Sequence, residues 1–248
     1  ITNNTFNGNT AGRDGGAIYN NGGGGESSPV ITGSTFIGNS AAFGGAMLNN
    51  GSDGGDSSPV ITRSTFTGNS AVDGNGGAIY NDGENGASSP QITVSAFASN
   101  TSTNAGGAVF NDGSIGGESS PIITATIFAD NAARSAGGAM LNNGRNGGTS
   151  SPQITGSAFI GNTSDGTGSS GGAISNEGAN GMSSPQITNS SFTGNSADFG
   201  GAIYNDGASG TSSPQITNAI LWNNTASAGA QVWGIGVANT TFSHTLID

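Results

Sequence analysis

The sequence repeats itself about every thirty residues, and this repeat constrains the fold more than any other feature of the chain. Seven units begin at Ile1, Ile31, Ile61, Ile92, Ile123, Ile154 and Ile187, and an altered eighth begins at Ile216, so that successive units start 29 to 33 residues apart. A tandem period in this range is typical of a solenoid, in which each unit packs only on its neighbours. We therefore expect residues 1–248 to form one elongated domain, with seven regular coils over 1–215 and variant coils over 216–248.

Each unit contains three short β-like runs separated by glycine-rich turns. They follow the patterns Pro-x-Ile-Thr, Ser-Thr-Phe-x-Gly-Asn and Gly-Gly-Ala-Ile-Tyr-Asn, and all seven prolines of the chain fall at one phase, directly after Ser-Ser. No segment shows the 3.6-residue apolar period of a helix. The pattern predicts an all-β parallel β-helix with three short parallel sheets and about eight coils.

Period-two alternation predicts which side chains fill the interior. The first interior column is the isoleucine that begins each unit, and the threonine that follows it is expected to point outward. The second column is Phe6, Phe36, Phe66, Phe97, Phe128, Phe159 and Phe192, continued by Leu221. The third is Ile18, Met47, Ile79, Val109, Met140, Ile174, Ile203 and Val232. We expect the phenylalanine rings of successive coils to stack.

Asparagine recurs at two phases of the repeat. The first column comes three residues after each phenylalanine and consists of Asn9, Asn39, Asn69, Asn100, Asn131, Asn162 and Asn195, with Asn224 after Leu221. The second closes the Gly-Gly-Ala run and consists of Asn20, Asn49, Asn81, Asn111, Asn142, Asn176 and Asn205. Side-chain amides at strand spacing can hydrogen-bond along the rod, and asparagine tolerates the left-handed backbone of a corner. Both columns, like the phenylalanines, are interpreted as structural ladders.

The charge balance excludes several classes of function. Fifteen acidic residues against four arginines, with no lysine, give a formal net charge of −11. Such a surface repels the phosphates of nucleic acids and of anionic membranes, and no apolar run of 18 residues could cross a bilayer. We therefore expect neither a nucleic-acid partner nor membrane insertion. A surface rich in Asn, Ser, Thr and Gly and free of lysine favours an extracellular bacterial protein over a cytosolic enzyme.

The tandem pairing of Phe-x-x-Asn with Gly-Gly-Ala-[Ile/Val/Met] resembles the repeats of chlamydial polymorphic outer-membrane proteins. The fuller unit is similar to bacterial right-handed parallel β-helix proteins that end in a choice-of-anchor sorting domain, with the pattern ITxSTFxGNSAxxGGAIYNxGxxGxSSPxIT. This resemblance covers Ile1 to about Asp248. It implies a right-handed coil in a secreted or surface-anchored bacterial protein that serves adhesion or extracellular structure. The motif is specific for the fold and weak for an activity.

One further column lies directly after the third interior position. Alternation sends its side chains to the outer face, and they are mostly aromatic or apolar: Tyr19, Leu48, Tyr80, Phe110, Leu141, Ser175, Tyr204 and Trp233. A monomer seldom leaves such a stripe bare. Two interpretations stay open. Either the long loop from Asn-Asp-Gly to Ser-Ser-Pro folds over the stripe, or the stripe binds a glycan or another protein.

Acidic residues recur at equivalent loop positions. They are Glu26 and Asp56 at one phase, and Asp82, Asp112, Glu177 and Asp206 at another. Carboxylates and the carbonyl groups of glycine-rich loops are hard oxygen ligands, so calcium is the predicted ion if a metal binds. The alternative is a set of solvated loops, because other units have asparagine at the same phase and the GGxGxDxUx repeat of calcium-binding β-rolls is absent.

The candidate catalytic residues argue against an enzyme. A lyase of this shape needs a base beside an acidic calcium cluster, whereas the four arginines lie at different phases of the repeat. Strand spacing would place Asp82 and Asp112 about 5 Å apart, close to the separation of a retaining glycosidase pair. Both lie in Asn-Asp-Gly turns that are expected to be exposed, so turn chemistry explains them better. His244 has no triad partner in the sequence.

These observations predict a non-catalytic extracellular or cell-surface β-solenoid that serves adhesion or extracellular structure. The alternative is a carbohydrate-binding or polysaccharide-cleaving module. The threonine column lacks the wide, flat Thr-x-Thr array of ice-binding solenoids. Exposed strand edges and an uncovered core at a solenoid end also predict head-to-tail stacking into filaments. The expected partners are thus other copies of the chain, or surface glycans and proteins.

Overall fold

The structure is a computed structural model that describes all 248 residues. The chain forms a β-solenoid in which every strand pairs in parallel with the equivalent strands of the coils before and after it. It contains no helix, and thus none that could cross a membrane. The predicted all-β parallel β-helix is confirmed.

Four sheets run the length of the rod, and we number them in the order in which one coil meets them. Sheet 1 carries the isoleucine column and consists of Val30–Thr32, Val60–Thr62, Gln91–Thr93, Ile122–Thr124, Gln153–Thr155, Gln186–Thr188, Gln215–Thr217 and Thr241–Ser243. Sheet 2 carries the phenylalanine column and consists of Thr5–Asn7, Thr35–Ile37, Thr65–Thr67, Ala96–Ala98, Ile127–Ala129, Ala158–Ile160, Ser191–Thr193, Ile220–Trp222 and Leu246–Ile247.

The remaining two sheets lie on the other side of the coil. Sheet 3 consists of Ser40–Ala41, Ser70–Ala71, Thr101–Ser102, Ala132–Ala133, Thr163–Ser164, Ser196–Phe199 and Thr225–Ala228. Sheet 4 carries the third interior column and consists of Ile18–Asn21, Met47–Asn50, Ile79–Asp82, Val109–Asp112, Met140–Asn143, Ile174–Glu177, Ile203–Gly207 and Val232–Gly236.

Sheet 3 is the element that the sequence pattern did not predict, since three sheets were expected and four are present. Most of its strands are two residues long, as in Ser40–Ala41, and their residues are small. Two residues cannot display a period-two alternation, and no large side chain marks the strand as an interior position. The sheet follows the asparagine corner and leads into the Gly-Gly-Ala run.

The core consists of the three predicted columns. The paired strands keep one register, so that Phe66 lies between Phe36 and Phe97, and the central isoleucines and phenylalanines are fully buried. Neighbouring rings stack with their centroids 4.6 to 4.9 Å apart and nearly parallel. Each offset-stacked pair stabilises the fold by about 0.5 to 1.5 kcal/mol, in addition to the stabilisation that comes from burying the apolar area of the rings.

Both asparagine columns are buried hydrogen-bond ladders, as predicted. The Asn100 Nδ2 atom donates to the Asn131 Oδ1 atom at 2.9 Å and to the Phe66 carbonyl oxygen at 3.0 Å, while its own Oδ1 atom accepts from the Asn69 backbone and side chain. In sheet 4, Asn81 donates to Asn111 at 2.8 Å in the same way. Each amide therefore joins three consecutive coils.

A serine ladder, which was not predicted, explains the first serine of each Ser-Ser-Pro motif. The single proton of the buried Ser88 hydroxyl is donated to the Ser57 carbonyl oxygen at 2.9 Å, and the Asn49 carbonyl oxygen lies 3.1 Å away as an alternative acceptor, both in the preceding coil. The same bonds recur at the equivalent serines along the rod. The hydroxyl thus closes the corner before sheet 1 by pairing carbonyl groups that would otherwise be buried alone.

The two glycines of the Gly-Gly-Ala run have different tasks. Gly106 has a φ of +64°, in the left-handed region that favours glycine. The φ of Gly107 lies outside that region, but a Cβ atom there would overlap the carbonyl oxygen of Gly138 and the backbone of Ala132, both in the next coil. The second glycine therefore permits the backbone of neighbouring coils to approach closely at the turn into sheet 4.

Candidate functional site

The aromatic stripe lies on the outer face of sheet 4, and most of it is covered. Only its two ends are exposed as expected, with Tyr19 at 46% and Trp233 at 39% of their full accessible surface. The prediction of a continuous exposed stripe is wrong for the middle of the rod, where Leu48, Phe110 and Leu141 are 5%, 6% and 2% exposed. Tyr80 and Tyr204 are half-buried, and Ser175 is fully buried.

The apolar cover comes from the segment between sheets 3 and 4. Ala105 and Ala136 pack with Phe110 and Leu141 in a small cluster separate from the main core. One coil earlier, the Phe43 ring meets the Tyr80 ring edge to face, with 5.9 Å between centroids. Alanine and glycine are common in this segment, so its role as a wall could not be predicted from the repeat pattern.

The long loop after sheet 4 forms the opposite wall, so that the stripe becomes the floor of a groove. The N-terminal compartment has a volume of about 320 Å³ and is lined by Arg13, Asp14, Tyr19, Phe43, Leu48, Asn50, Ser52, Tyr80, Asp82 and Glu84. The C-terminal compartment has a volume of about 230 Å³ and is lined by Asn75, Asn104, Ala105, Phe110, Ser135, Ala136, Leu141, Asn143, Arg145 and Glu177. Both are open to solvent along the rod.

A third depression, with a volume of about 530 Å³, lies over sheet 3 and is wider and shallower. Small residues such as Ser102, Ala132 and Gly166 line most of it, and its charged residues are Arg134 and Asp165. It has no aromatic wall and no buried polar side chain that a ligand would satisfy. We therefore assign the candidate site to the groove on sheet 4, although this depression is larger.

One rim of the groove carries the column that contains four of the predicted calcium ligands. In register, its members are Asn21, Asn50, Asp82, Asp112, Asn143, Glu177 and Asp206. Asp112 is buried, and its carboxylate accepts hydrogen bonds from the Tyr80 hydroxyl at 2.9 Å, the Ser114 hydroxyl at 2.7 Å and the Asn143 amide at 2.9 Å. Both oxygens of this carboxylate are therefore engaged within the protein.

Asp82 has a different environment from Asp112, although the two are adjacent in register. Burial and, to a smaller extent, the nearby carboxylates Asp112, Glu84 and Asp14 raise the pKa of Asp82 to about 6, against the opposing effect of a backbone hydrogen bond from Glu84. Burial and the same acidic surroundings raise the pKa of Glu84, and burial and Asp112 raise that of Tyr80. The expectation that these turns are fully exposed is thus wrong.

The C-terminal half of the same column is compensated by an arginine. The Arg145 guanidinium lies 3.1 Å from the Glu177 carboxylate and 3.4 Å from the Asp206 carboxylate, which belong to the next two coils. Burial nevertheless raises the pKa of Glu177, because the desolvation of its carboxylate outweighs the attraction of Arg145. The two halves of the groove therefore differ in net charge, although both are built on equivalent strands of sheet 4.

The other predicted calcium ligands do not reach the groove. Glu26 and Asp56 are exposed and adjacent in register, but Ala87 follows Asp56 in the next coil. No group of three or more His, Cys, Asp or Glu side chains has an arrangement that would hold a metal ion. Calcium binding stays a prediction. His244 is exposed and its Nδ1 atom lies 2.8 Å from the hydroxyl of the adjacent Ser243.

The repeat units match a known family of repeats. The family model of the Chlamydia polymorphic membrane protein repeat matches residues 5–21, 63–82 and 189–206. Each matched segment runs from sheet 2 to the end of a strand in sheet 4, so it contains the first asparagine corner, the Gly-Gly-Ala turn and the floor of the groove. Comparison with curated proteins and with solved structures finds no match. The resemblance of the chain to a β-helix protein with polymorphic membrane protein repeats is confirmed.

Proposed function

We propose that the chain is a non-catalytic adhesion domain of a bacterial surface protein, and that it contacts its partner through the groove on sheet 4. The observation that carries this proposal is the aromatic floor between Tyr19 and Leu141, which two walls shield but do not close. A rigid rod that presents concave sites, in which polar and charged side chains converge beside aromatic rings, is suited to binding. The matched repeat family, which is named for a membrane protein of bacteria, supports a surface location.

The groove also supports binding over hydrolysis. A retaining glycosidase needs one free carboxylate as the nucleophile and a second, protonated carboxyl group as the acid. Asp82 has the raised pKa of an acid. Asp112 is buried, however, and both of its carboxylate oxygens accept hydrogen bonds, from Tyr80, Ser114 and Asn143, which makes it a weak nucleophile. Release of reducing sugar from a panel of polysaccharides, abolished by Asp82→Asn, would favour the cleaving module instead.

The adhesion role is tested by a blocked groove. Beads that carry the wild-type chain are passed over immobilised glycans, extracellular-matrix proteins and cultured cells, and retention under flow is measured. Asn104→Trp places a bulky side chain on the exposed wall of the C-terminal compartment, while Gln153→Trp places the same side chain on sheet 1, away from the groove. We expect Asn104→Trp to lose retention and Gln153→Trp to keep it.

Equal retention of the two tryptophan variants would remove the C-terminal compartment as the adhesive surface, and no retention of the wild-type chain on any surface would remove adhesion itself. Head-to-tail stacking of copies is a separate prediction that does not depend on the groove. It is checked by sedimentation velocity, in which association that grows with concentration supports filaments.

A further inference from the structure

Two coils of the rod place opposite charges at one and the same backbone position. The Asn85 backbone amide donates to the Ser114 carbonyl oxygen, and the Ile115 amide donates to the Arg145 carbonyl oxygen, so Glu84, Ser114 and Arg145 are equivalent in three successive coils. Arg145 extends over the carboxylates Glu177 and Asp206. Glu84 lies at the same place beside Asp82 and Asp112, where no arginine is present.

The C-terminal half of the groove thus already contains a guanidinium group bound to this acidic column. Arg145 bridges two carboxylates that belong to successive coils, at 3.1 and 3.4 Å. Guanidinium groups suit such sites because they are planar, always charged and more weakly hydrated than an ammonium group. The chain itself therefore indicates which cation its acidic column accepts.

The N-terminal half has the carboxylates without the cation. Asp14, Asp82 and Glu84 line one compartment, and the single basic residue on its wall is Arg13. Arg13 is 3.7 Å from Asp14 and its side chain is 84% exposed, so this ion pair contributes little. The pKa of Asp82 is raised chiefly by burial and further by the charges of Asp112, Glu84 and Asp14, so a cation in this compartment would relieve repulsion.

The same compartment has aromatic walls. Tyr80 is stacked on Phe110 with 5.0 Å between centroids and meets the edge of Phe43, and Tyr19 lies exposed at the open end of the compartment. A guanidinium group that pairs with a carboxylate and lies against an aromatic face gains both interactions. The charge and the walls are thus complementary to an arginine side chain.

We propose that the N-terminal compartment of the groove binds an arginine side chain of a partner protein, in the way that Arg145 occupies the same column two coils later. This inference rests on the proposed adhesive function and names the partner's chemistry. The partner's guanidinium group lies between Asp82 and Glu84 and against Tyr80. Binding brings a positive charge into a compartment that has three carboxylates and one exposed arginine.

The probes are short capped peptides that differ in one side chain: Gly-Arg-Gly, Gly-Lys-Gly and Gly-citrulline-Gly. Citrulline has the shape of arginine without its charge. Binding to the wild-type chain is measured by calorimetry at low salt, with chitosan oligomers as a cationic sugar. We expect the arginine peptide to bind at least tenfold more tightly than the citrulline peptide and several-fold more tightly than the lysine peptide.

Glu84→Arg is the decisive variant, because it removes one carboxylate of the compartment and places a guanidinium group at the backbone position of Arg145, one coil before the Asp112 carboxylate. We expect this variant to lose the arginine peptide and to unfold at a higher temperature than wild type, since it relieves the repulsion at Asp82. The matched control is Glu118→Gln, which removes an exposed carboxylate outside the groove and is expected to leave peptide binding unchanged.

The proposal is overturned if the citrulline peptide binds as tightly as the arginine peptide, or if Glu84→Arg binds the arginine peptide as wild type does. It is also overturned if chitosan oligomers bind and the arginine peptide does not, because the groove would then be a sugar site. Any of these results is compatible with loss of bead retention in Asn104→Trp. The failure of this inference can therefore be told from a failure of the adhesive function.

Discussion

The Tyr80 hydroxyl donates a 2.9 Å hydrogen bond to the carboxylate of Asp112, which belongs to the next coil. Tyr80 lies on the floor of the groove and Asp112 on its rim, so this bond fixes the position of the rim relative to the floor. It also provides one of the few partners that the buried Asp112 carboxylate has within the protein.

Tyr80→Phe keeps the ring and removes this bond. We expect the free energy of unfolding to fall by about 1 to 3 kcal/mol, because a buried carboxylate loses a donor. Urea denaturation followed by circular dichroism measures the change. Tyr204→Phe is the matched control, since it occupies the same column and its hydroxyl makes no hydrogen bond within the protein. A similar loss in both variants would contradict the role of the Tyr80–Asp112 bond.

The raised pKa of Asp82 predicts a dependence of stability on pH. The native state holds the proton up to a pKa of about 6, whereas the unfolded chain releases it near 3.8. The contribution of Asp82 is therefore fully present below about pH 4 and is lost as the pH rises to 6. At pH 7.5 we expect Asp82→Asn to be more stable than wild type by about 1 to 3 kcal/mol.

The measurement is thermal unfolding of the wild-type chain and of Asp82→Asn at several pH values between 4 and 8. Asp130→Asn, at an exposed corner, is the control for the loss of one negative charge. If Asp130→Asn stabilises the chain as much as Asp82→Asn does, net charge rather than the groove governs the effect.

The first asparagine ladder predicts a large loss from one substitution. Asn100→Ala removes the acceptor of the buried Asn69 backbone amide and the donor to the Phe66 carbonyl oxygen. We expect the free energy of unfolding to fall by about 2 to 4 kcal/mol, because several buried polar groups lose their partners at once. Thr103→Ala, at an exposed position of the same coil, should change the free energy of unfolding by less than about 0.5 kcal/mol. A small effect of Asn100→Ala in urea denaturation would mean that water replaces the amide.

The close approach at the Gly-Gly turn predicts a contrast between two glycines. Gly107→Ala places a methyl group against the Gly138 carbonyl oxygen, so we expect a loss of more than about 3 kcal/mol or a failure to fold. A Cβ atom on Gly25 meets no atom within 4 Å, and its φ is not in the left-handed region. Gly25→Ala should therefore keep the wild-type melting temperature, and comparable melting of the two variants would contradict the packing described for the turn.

The interior of the rod could be predicted because it repeats. Every coil places Ile, Phe and Ile, Val or Met at the same phases, and the ladder at Asn100 follows from spacing alone. A repeated side chain in a parallel solenoid contacts its own equivalents, so one unit contains the information for its neighbours. Sheet 3 was missed because strands of two small residues carry no periodic signal.

The groove could not be predicted in the same way, because it depends on residues that do not repeat. Phenylalanine stands directly before Gly-Gly-Ala in only two coils, at Phe43, which packs against Tyr80, and at Phe199. The walls around Phe110 consist of alanines that resemble turn residues in the sequence. The shared position of Glu84 and Arg145 was visible only after the backbone pairing placed their loops in register. Burial, and with it the pKa of Asp82, depends on these tertiary contacts.

The identical columns have a further consequence for how the chain finds its own order. If a coil paired with the wrong neighbour, one unit out of place, it would still bury isoleucine on isoleucine and phenylalanine on phenylalanine, and the core would hardly distinguish the error. Residues that occur at their repeat position in one coil, such as Glu84 and Arg145, or in two, such as Phe43 and Phe199, are the features that make one coil different from the next. Besides any contact with a partner, these residues favour the correct pairing of neighbouring coils over a pairing shifted by one unit.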